Sequence, residues 1–367
     1  MSHMTDRYEP YRNVAQRASV DAIALVPGAN FSRLFGKEFH QNERPLLVVI
    51  PAIGAPAAVV PNLELASFEQ IGFEGEVFDW RDQTGYQSAF ESLLQHLPLG
   101  SVGVEGQVMR VFIDQALRNA APGLTIRDAQ QSISALRLRK NEEEISIIRK
   151  AIGISERALA NTIDAVKVGM TERAIENILV QNLFAEGAED FAFSPIVAAA
   201  ENSARPHAHS RDDYAVKPGD SLLIDFGARA GGLCADITRT FFIQHCTDAR
   251  AEVYQTVLAA NLAGHAASIP GATAHDVDDA TTRVLEESAF ASRIRHKTGH
   301  GMGRDIHEDP YIMRGNEQKL EPGMVFTIEP GLYDLNDIGV RIEDDVLITT
   351  SGSESLTSFD KTLTYIG

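Results

Sequence analysis

An α/β (α+β) chain of two domains is the fold class this sequence predicts, and three observations predict it. Short apolar runs alternate with helical patterns over the first 136 residues. Near residue 136 the patterning changes, and a capped amphipathic helix of about seven turns begins. Beyond that helix, one segment of proline-glycine turn and strand occurs twice without a gap. A length of 367 residues agrees, since about 150 serves one domain.

The first domain is expected over 4–136, with Met1–Met4 read as a cloning remnant ahead of the native start. Ala22–Val26 reads as a strand closed by Pro27-Gly28. Leu46–Ile50 and Ala57–Val60 read as two buried strands joined by a turn containing Gly54 and Pro56. The uncharged stretch that holds them, Pro45–Leu63, carries prolines at 45, 51, 56 and 61, which would break a membrane helix repeatedly. Val77–Phe78 and Ser101–Val104 are further strands, with helices around Ser88–His96 and Val108–Arg118.

The second domain is expected over 137–367. Asn141 followed by Glu144 forms a capping box, and Ile145, Ile148, Ile152, Leu159, Ile163 and Val166 recur at helical steps behind it. A helix over Thr171–Ala185 follows, then strands at Ile196–Ala199, Ser221–Phe226 and Ala235–Ile243. Helices at Ala249–Ala267 and Thr273–Ser288 lead to strands at Met324–Ile328 and Val340–Ile348. Lys217–Gly227 can be laid on Glu321–Gly331: Pro218 on Pro322, Gly219 on Gly323, Ile224 on Ile328, Asp225 on Glu329. A duplicated α/β half closing on one sheet explains a repeat that occurs only twice.

Composition excludes some functions. Thirty-three basic against 51 acidic residues leave a net charge of −18, a field that repels phosphate and argues against nucleic acid. With no membrane helix and only two cysteines, a soluble, cytoplasmic protein with reduced thiols is expected.

The chemistry concentrates in the repeat. Asp225 and Asp236 are symmetric about Ala230-Gly231-Gly232, so they are expected to sit directly opposite each other on one hairpin face. Glu329 and Glu343 are symmetric about Asn336 in the same way. Opposed like charges are destabilising unless a cation lies between them. His300 lies between glycines, His307 follows it, and His207 and His209 precede the first hairpin. Four carboxylates and one histidine can hold two divalent ions, with hard oxygen ligands favouring Mn²⁺, Co²⁺ or Fe²⁺ over a thiolate-type zinc site. Two ions sharing a water point to metal-assisted hydrolysis. Any one of these residues alone would be an ordinary turn or surface residue; the set is what carries the reading.

Asn202–His207, Asp225-Phe-Gly-Ala with Cys-Ala-Asp236-Ile-Thr-Arg-Thr, Gly299-His-Gly-Met-Gly with Ile-His307-Glu, Glu321-Pro-Gly-Met with Ile-Glu329-Pro-Gly331, and Val340–Asp344 together resemble the pita-bread dinuclear metallopeptidases. The first domain resembles the creatinase-type N-terminal domain of the proline-specific branch, which holds aminopeptidase P and Xaa-Pro dipeptidase (prolidase). The resemblance implies a pseudo-twofold catalytic domain and two divalent ions: Mn²⁺ or Co²⁺ first, Zn²⁺ or Fe²⁺ as alternatives. It implies Asp225, Asp236, His300, Glu329 and Glu343 as ligands, with Asp236 and Glu343 bridging and Glu329 also shuttling a proton. His207 and His307 match histidines that contact substrate and stabilise the tetrahedral intermediate. Arg341 and Thr238 share strand faces with Glu343 and Asp236 and are expected to support them. Phe193 and Ile306 resemble proline-pocket positions.

The activity implied is hydrolysis of Xaa-Pro dipeptides by a metal-bridging water, in a homodimer acting on short proline peptides. Alternatives are an aminopeptidase P, a metal-dependent hydrolase of a modified amino acid, and a non-catalytic binding module. One departure bears on substrate length: where prolidases commonly carry an arginine for the dipeptide carboxylate stands Tyr311, with Arg314 the nearest arginine.

Overall fold

The computed structural model describes residues 6–367, so the expected domain start at residue 4 and the Met1–Met4 remnant lie outside the described residues. Two compact units divide between Arg137 and Leu138.

The first unit is built on six strands: β1 Ala22–Leu25, β2 Leu47–Pro51, β3 Ala57–Pro61, β4 Glu76–Trp80, β5 Ser101–Val104 and β6 Thr125–Asp128. They are ordered β4-β3-β2-β1-β5-β6. β1, β2 and β3 pair antiparallel, and the outer neighbours pair parallel. Side chains alternate between two cores: Ile23, Leu25, Val48 and Ile50 enter one, Ala22, Ala24, Leu47 and Val49 the other. A sheet covered on both faces reads as unbroken apolar runs, which is why these strands were legible. Not expected were the helices at Glu9–Arg17, Ala29–Phe35, Leu65–Glu69 and Gln130–Ser134, too short for a sustained helical period, and β6, whose residues are largely exposed.

The second unit opens with the helix Glu142–Ala165, whose capping box is present as expected: Asn141 Oδ1 accepts from Glu144 N and Glu144 returns the bond. Such a cap contributes roughly 1 kcal/mol. The duplication is physical. Helices Glu172–Ala185 and Ala274–Glu286 start from the threonine caps Thr171 and Thr273. Each threonine also forms an isolated antiparallel bridge with a later residue, Thr171 with Ala215 and Thr273 with Lys319. Gly219 and Gly323 turn each copy at φ 88° and 91°. The first copy feeds a four-stranded sheet containing Ile196–Ala199, Ser221–Phe226 and Ile237–Ile243; the second feeds a five-stranded sheet containing Glu308–Ile312, Gly299–Gly301, Val325–Ile328 and Asp344–Ile348. Ile224 and Phe226 pack beneath the helix Glu142–Ala165, and Phe326 and Ile328 pack beneath Ala274–Glu286.

Two expected strands are interrupted. Ala235–Ile243 begins only at Ile237, and Val340–Ile348 breaks into Gly339–Arg341 and Asp344–Ile348. Asp236 and Glu343 sit at these breaks, where the ladder is released.

Candidate metal centre

The first hairpin corrects one expectation. Gly231 and Gly232, at φ 55° and 72°, make the two-residue turn themselves. Ala230 therefore faces Leu233, and the register carries Asp225 opposite Thr238, not opposite Asp236. The shift is two residues, so Asp225 and Asp236 stay on one face as diagonal neighbours. In the second hairpin the symmetry about Asn336 holds: Ile328 pairs with Asp344 on one side of the carboxylates and Gly331 with Arg341 on the other. Glu329 and Glu343 do not bond each other's backbone. Glu343 N donates to Thr238 O at 3.1 Å and Glu329 N to Thr298 O at 2.7 Å, so each carboxylate is drawn to a neighbouring segment. The first bond ties the second hairpin to the first, and the second ties it to the segment that carries His300.

His300 reaches the same spot from the short strand Gly299–Gly301. A Cβ on Gly299 would fall 1.9 Å from Thr327 O and one on Gly301 2.2 Å from Asp309 O. Only glycine lets this strand lie so close between its neighbours.

Ligand atoms of Asp236, His300 and Glu343, all buried, lie within 4.8 Å of one another. His300 Nε2 stands 3.7 Å from Asp236 Oδ2 and 3.5 Å from Glu329 Oε1. Its Nδ1 bonds the Gly301 carbonyl at 3.1 Å; a carbonyl only accepts, so Nδ1 carries the proton and Nε2 turns its lone pair to the carboxylates. Burial, reinforced by His307, lowers the His300 pKa to about 3, which keeps the ring neutral. Asp236 and Glu343 are pushed well above the carboxylate range, by burial first and by neighbouring carboxylates next. Asp225 Oδ1 and Asp236 Oδ1 are buried with no hydrogen-bond partner among the described residues. Orphaned acceptors, crowded anions and a neutral imidazole suit divalent cations and little else.

Two of the other carboxylate oxygens are held. Arg341, itself buried, donates to Asp225 Oδ2 at 2.5 Å, to Thr238 Oγ1 at 3.1 Å and to Tyr333 Oη at 2.8 Å. Thr238 Oγ1 donates to Glu343 Oε2 at 2.6 Å. Tyr333 Oη also meets His296 Nε2 at 2.7 Å, and burial lowers His296 to about 4. These bonds fix which oxygens stay open.

The open oxygens form the floor of a cavity of about 810 Å³. His207 and His307 line it, with the His307 and His300 rings 3.9 Å apart. The loop bearing His207 is anchored by buried Glu172, which accepts from Asn202 Nδ2 at 3.0 Å and Arg211 N at 2.7 Å. Phe193 and Ile306 belong to the wall, joined by Ile196 and Leu335. Tyr311 and Arg314 are not among the lining residues: Arg314 is engaged by Glu286 at 2.7 Å and Asp279 at 3.1 Å. Sequence reasoning missed His296, Lys297 and Tyr333. Proximity to His300 was the only sign for the first two; Tyr333 gave none.

Residues 146–350 match metallopeptidase family M24, and residues 7–139 match the creatinase/prolidase N-terminal domain. A Mycobacterium tuberculosis protein named "Probable dipeptidase PepE" is 34% identical over 353 residues, covering 94% of this chain and 92% of that one. A recombinant prolidase from Thermococcus sibiricus superposes with a TM-score of 0.93 at 29% identity, covering 100% of both chains. An X-Pro aminopeptidase from Thermotoga maritima superposes at 0.85 with 28% identity, covering 99% of this chain and 100% of that one.

Proposed function

The chain belongs to metallopeptidase family M24, and from that premise we propose that it is an Xaa-Pro dipeptidase working with two divalent ions, Mn²⁺ or Co²⁺ ahead of Fe²⁺ or Zn²⁺. The observation that carries the reading is the pair of buried, unpartnered oxygens on Asp225 and Asp236, facing His300, Glu329 and Glu343 across one cavity floor. These five residues would hold the ions, Asp236 and Glu343 between them. Bound there, the ions supply Lewis acidity and a water acidic enough to attack at neutral pH.

The protein's own groups do the rest. Burial, with a contribution from Asp225, pushes Glu329 up to about 7. A carboxyl balanced there takes the proton of the attacking water and returns it to the departing proline nitrogen. His307 is lowered by burial and by the Lys297 charge, so it stays neutral near pH 7 and keeps an N–H to donate. With His207 it faces the developing negative charge on the scissile oxygen. Arg341 keeps Asp225 Oδ2 occupied and thereby directs Oδ1 to the floor. Phe193, Ile196, Ile306 and Leu335 offer an apolar wall for the pyrrolidine ring. An Xaa-Pro bond has no N–H, and nothing in this arrangement needs one.

A homodimer and a cytoplasmic location complete the proposal; the latter is supported by Cys234 and Cys246, both free thiols. No helix is long and apolar enough to cross a membrane among the described residues. The second reading, an aminopeptidase removing the first residue of longer Xaa-Pro peptides, is favoured by the Thermotoga maritima likeness. Assay Ala-Pro and Ala-Pro-Ala after chelation and after adding back Mn²⁺ or Co²⁺. Activity should vanish and return, with Ala-Pro the better substrate by kcat/KM. Full turnover by metal-stripped protein would refute the metal role, and a clear preference for the tripeptide would make it the aminopeptidase.

A further inference from the structure

Four cations line the cavity: Arg205, Arg295, Lys297 and Arg341. Arg341 is committed to Asp225, Thr238 and Tyr333. Arg295 is exposed and turned to its own loop, with Nη1 2.6 Å from Ser292 O and 2.9 Å from Ile294 O. Arg205, also exposed, reaches Glu201 O at 3.4 Å. Lys297 differs from all three. It is half-buried, and its ammonium has no hydrogen-bond acceptor or carboxylate partner among the described residues. Its one side-chain neighbour of note is the ring of Tyr311, whose centroid lies 5.4 Å from Nζ.

The backbone around this lysine is pinned. His296 Nδ1 donates to Lys297 O at 2.8 Å, and Thr298 N donates to Asp278 Oδ1 at 2.8 Å. The stem therefore starts from a fixed point three residues before His300. Lys297 lines the same cavity as His300, His307 and Glu329. A cation half out of water without a counter-ion carries an uncompensated desolvation cost. An arriving anion would remove that cost. In a chain of net charge −18, an anionic substrate also needs a dedicated cation to be admitted.

We infer that Lys297 is the specificity-determining residue that ion-pairs with the free carboxylate of an Xaa-Pro dipeptide, its head steadied over the Tyr311 ring. The inference rests on the dipeptidase reading and deepens it. When the scissile carbonyl of Ala-Pro lies on the cavity floor, the proline carboxylate is the only anion of the substrate and lies within one residue of the broken bond. In a longer peptide that carboxylate is an amide, and the lysine gains no ion pair. Discrimination by substrate length then follows from one charge.

The test compares Ala-Pro with Ala-Pro-amide in the metal-loaded wild type, Lys297→Met and Lys297→Arg. Hydrogen bonds between charged groups support a fall of about 10- to 100-fold in kcat/KM for Ala-Pro in Lys297→Met, mainly through KM. The fall on the amide should be at least about fivefold smaller, since any effect of losing the charge beside His307 and Glu329 is common to both substrates, and Lys297→Arg should recover most of the loss on Ala-Pro, because the charge is kept. Equal falls on both substrates would overturn the assignment while leaving the dipeptidase standing, since Lys297 would then act only as a general counter-charge. A wild type that cleaves the amide as well as Ala-Pro would overturn the carboxylate-reading dipeptidase, and the lysine's role with it.

Discussion

Asp236→Asn should separate stability from function. Asp236 is buried at 4% exposure, its Oδ1 has no hydrogen-bond partner among the described residues, and burial first, then Glu343, Asp225, Asp345 and Glu329, raise its pKa. Leaving such an acceptor buried costs about 1–3 kcal/mol. Asparagine keeps the size, removes one of the crowded anions and offers an N–H to the neighbouring carboxylates. The backbone bond from residue 236 N to Asp345 Oδ2, 3.1 Å, is untouched. The metal-free variant should thus be as stable as wild type or more so, by up to about 3 kcal/mol, or roughly 2–10 °C in apparent Tm. Metal reverses the order. At a free concentration 100 times Kd, wild type gains about 2.7 kcal/mol, roughly 5–10 °C. The variant should lose most of that gain together with activity. The assay is thermal unfolding of both proteins in chelator and in Mn²⁺, with metal content measured alongside. A variant that is stabilised by Mn²⁺ as much as wild type, or that is already destabilised by several degrees in chelator, would refute the reasoning.

Three further outcomes follow from the same geometry. His207→Ala and His307→Ala should each lower kcat by on the order of 100-fold while bound metal, measured by elemental analysis, stays at the wild-type level; metal loss would make that histidine a ligand instead. Lys140 and Glu308 form a fully buried pair at 2.6 Å, next in sequence to His307, so Lys140→Met should cost about 3–5 kcal/mol in urea unfolding. Partial recovery in Lys140→Met/Glu308→Gln would show that the penalty is the stranded charge, and no recovery would show lost packing instead. Light scattering should return twice the 40.0 kDa chain mass, and a fully active monomer would exclude the proposed homodimer.

Local order was written in the sequence wherever one short-range rule acted alone. Asn141 and Glu144 cap a helix from within four residues, and Thr171 and Thr273 do the same for the later helices. Strands buried on both faces announced themselves as apolar runs. The repeat relating Asp225 to Glu329 was visible because the same turn and strand must be encoded twice. The five candidate ligands were therefore legible as a set, and the face shared by Asp225 and Asp236 was right even though the register was not.

What the tertiary structure decided were distances between segments remote in sequence. The pairing of Asp225 with Thr238 depends on where two glycines place a turn. Which carboxylate oxygens stay open depends on Arg341 reaching Asp225 across 116 positions and on Thr238 reaching Glu343 across 105. Tyr333 and His296 meet through one hydroxyl, and Lys297 faces the cavity while Arg314 is held on the surface by Glu286. Residue type and short-range spacing report propensity and periodicity. A charge's partner is set by the packing that brings it there, and that packing is a property of the whole fold.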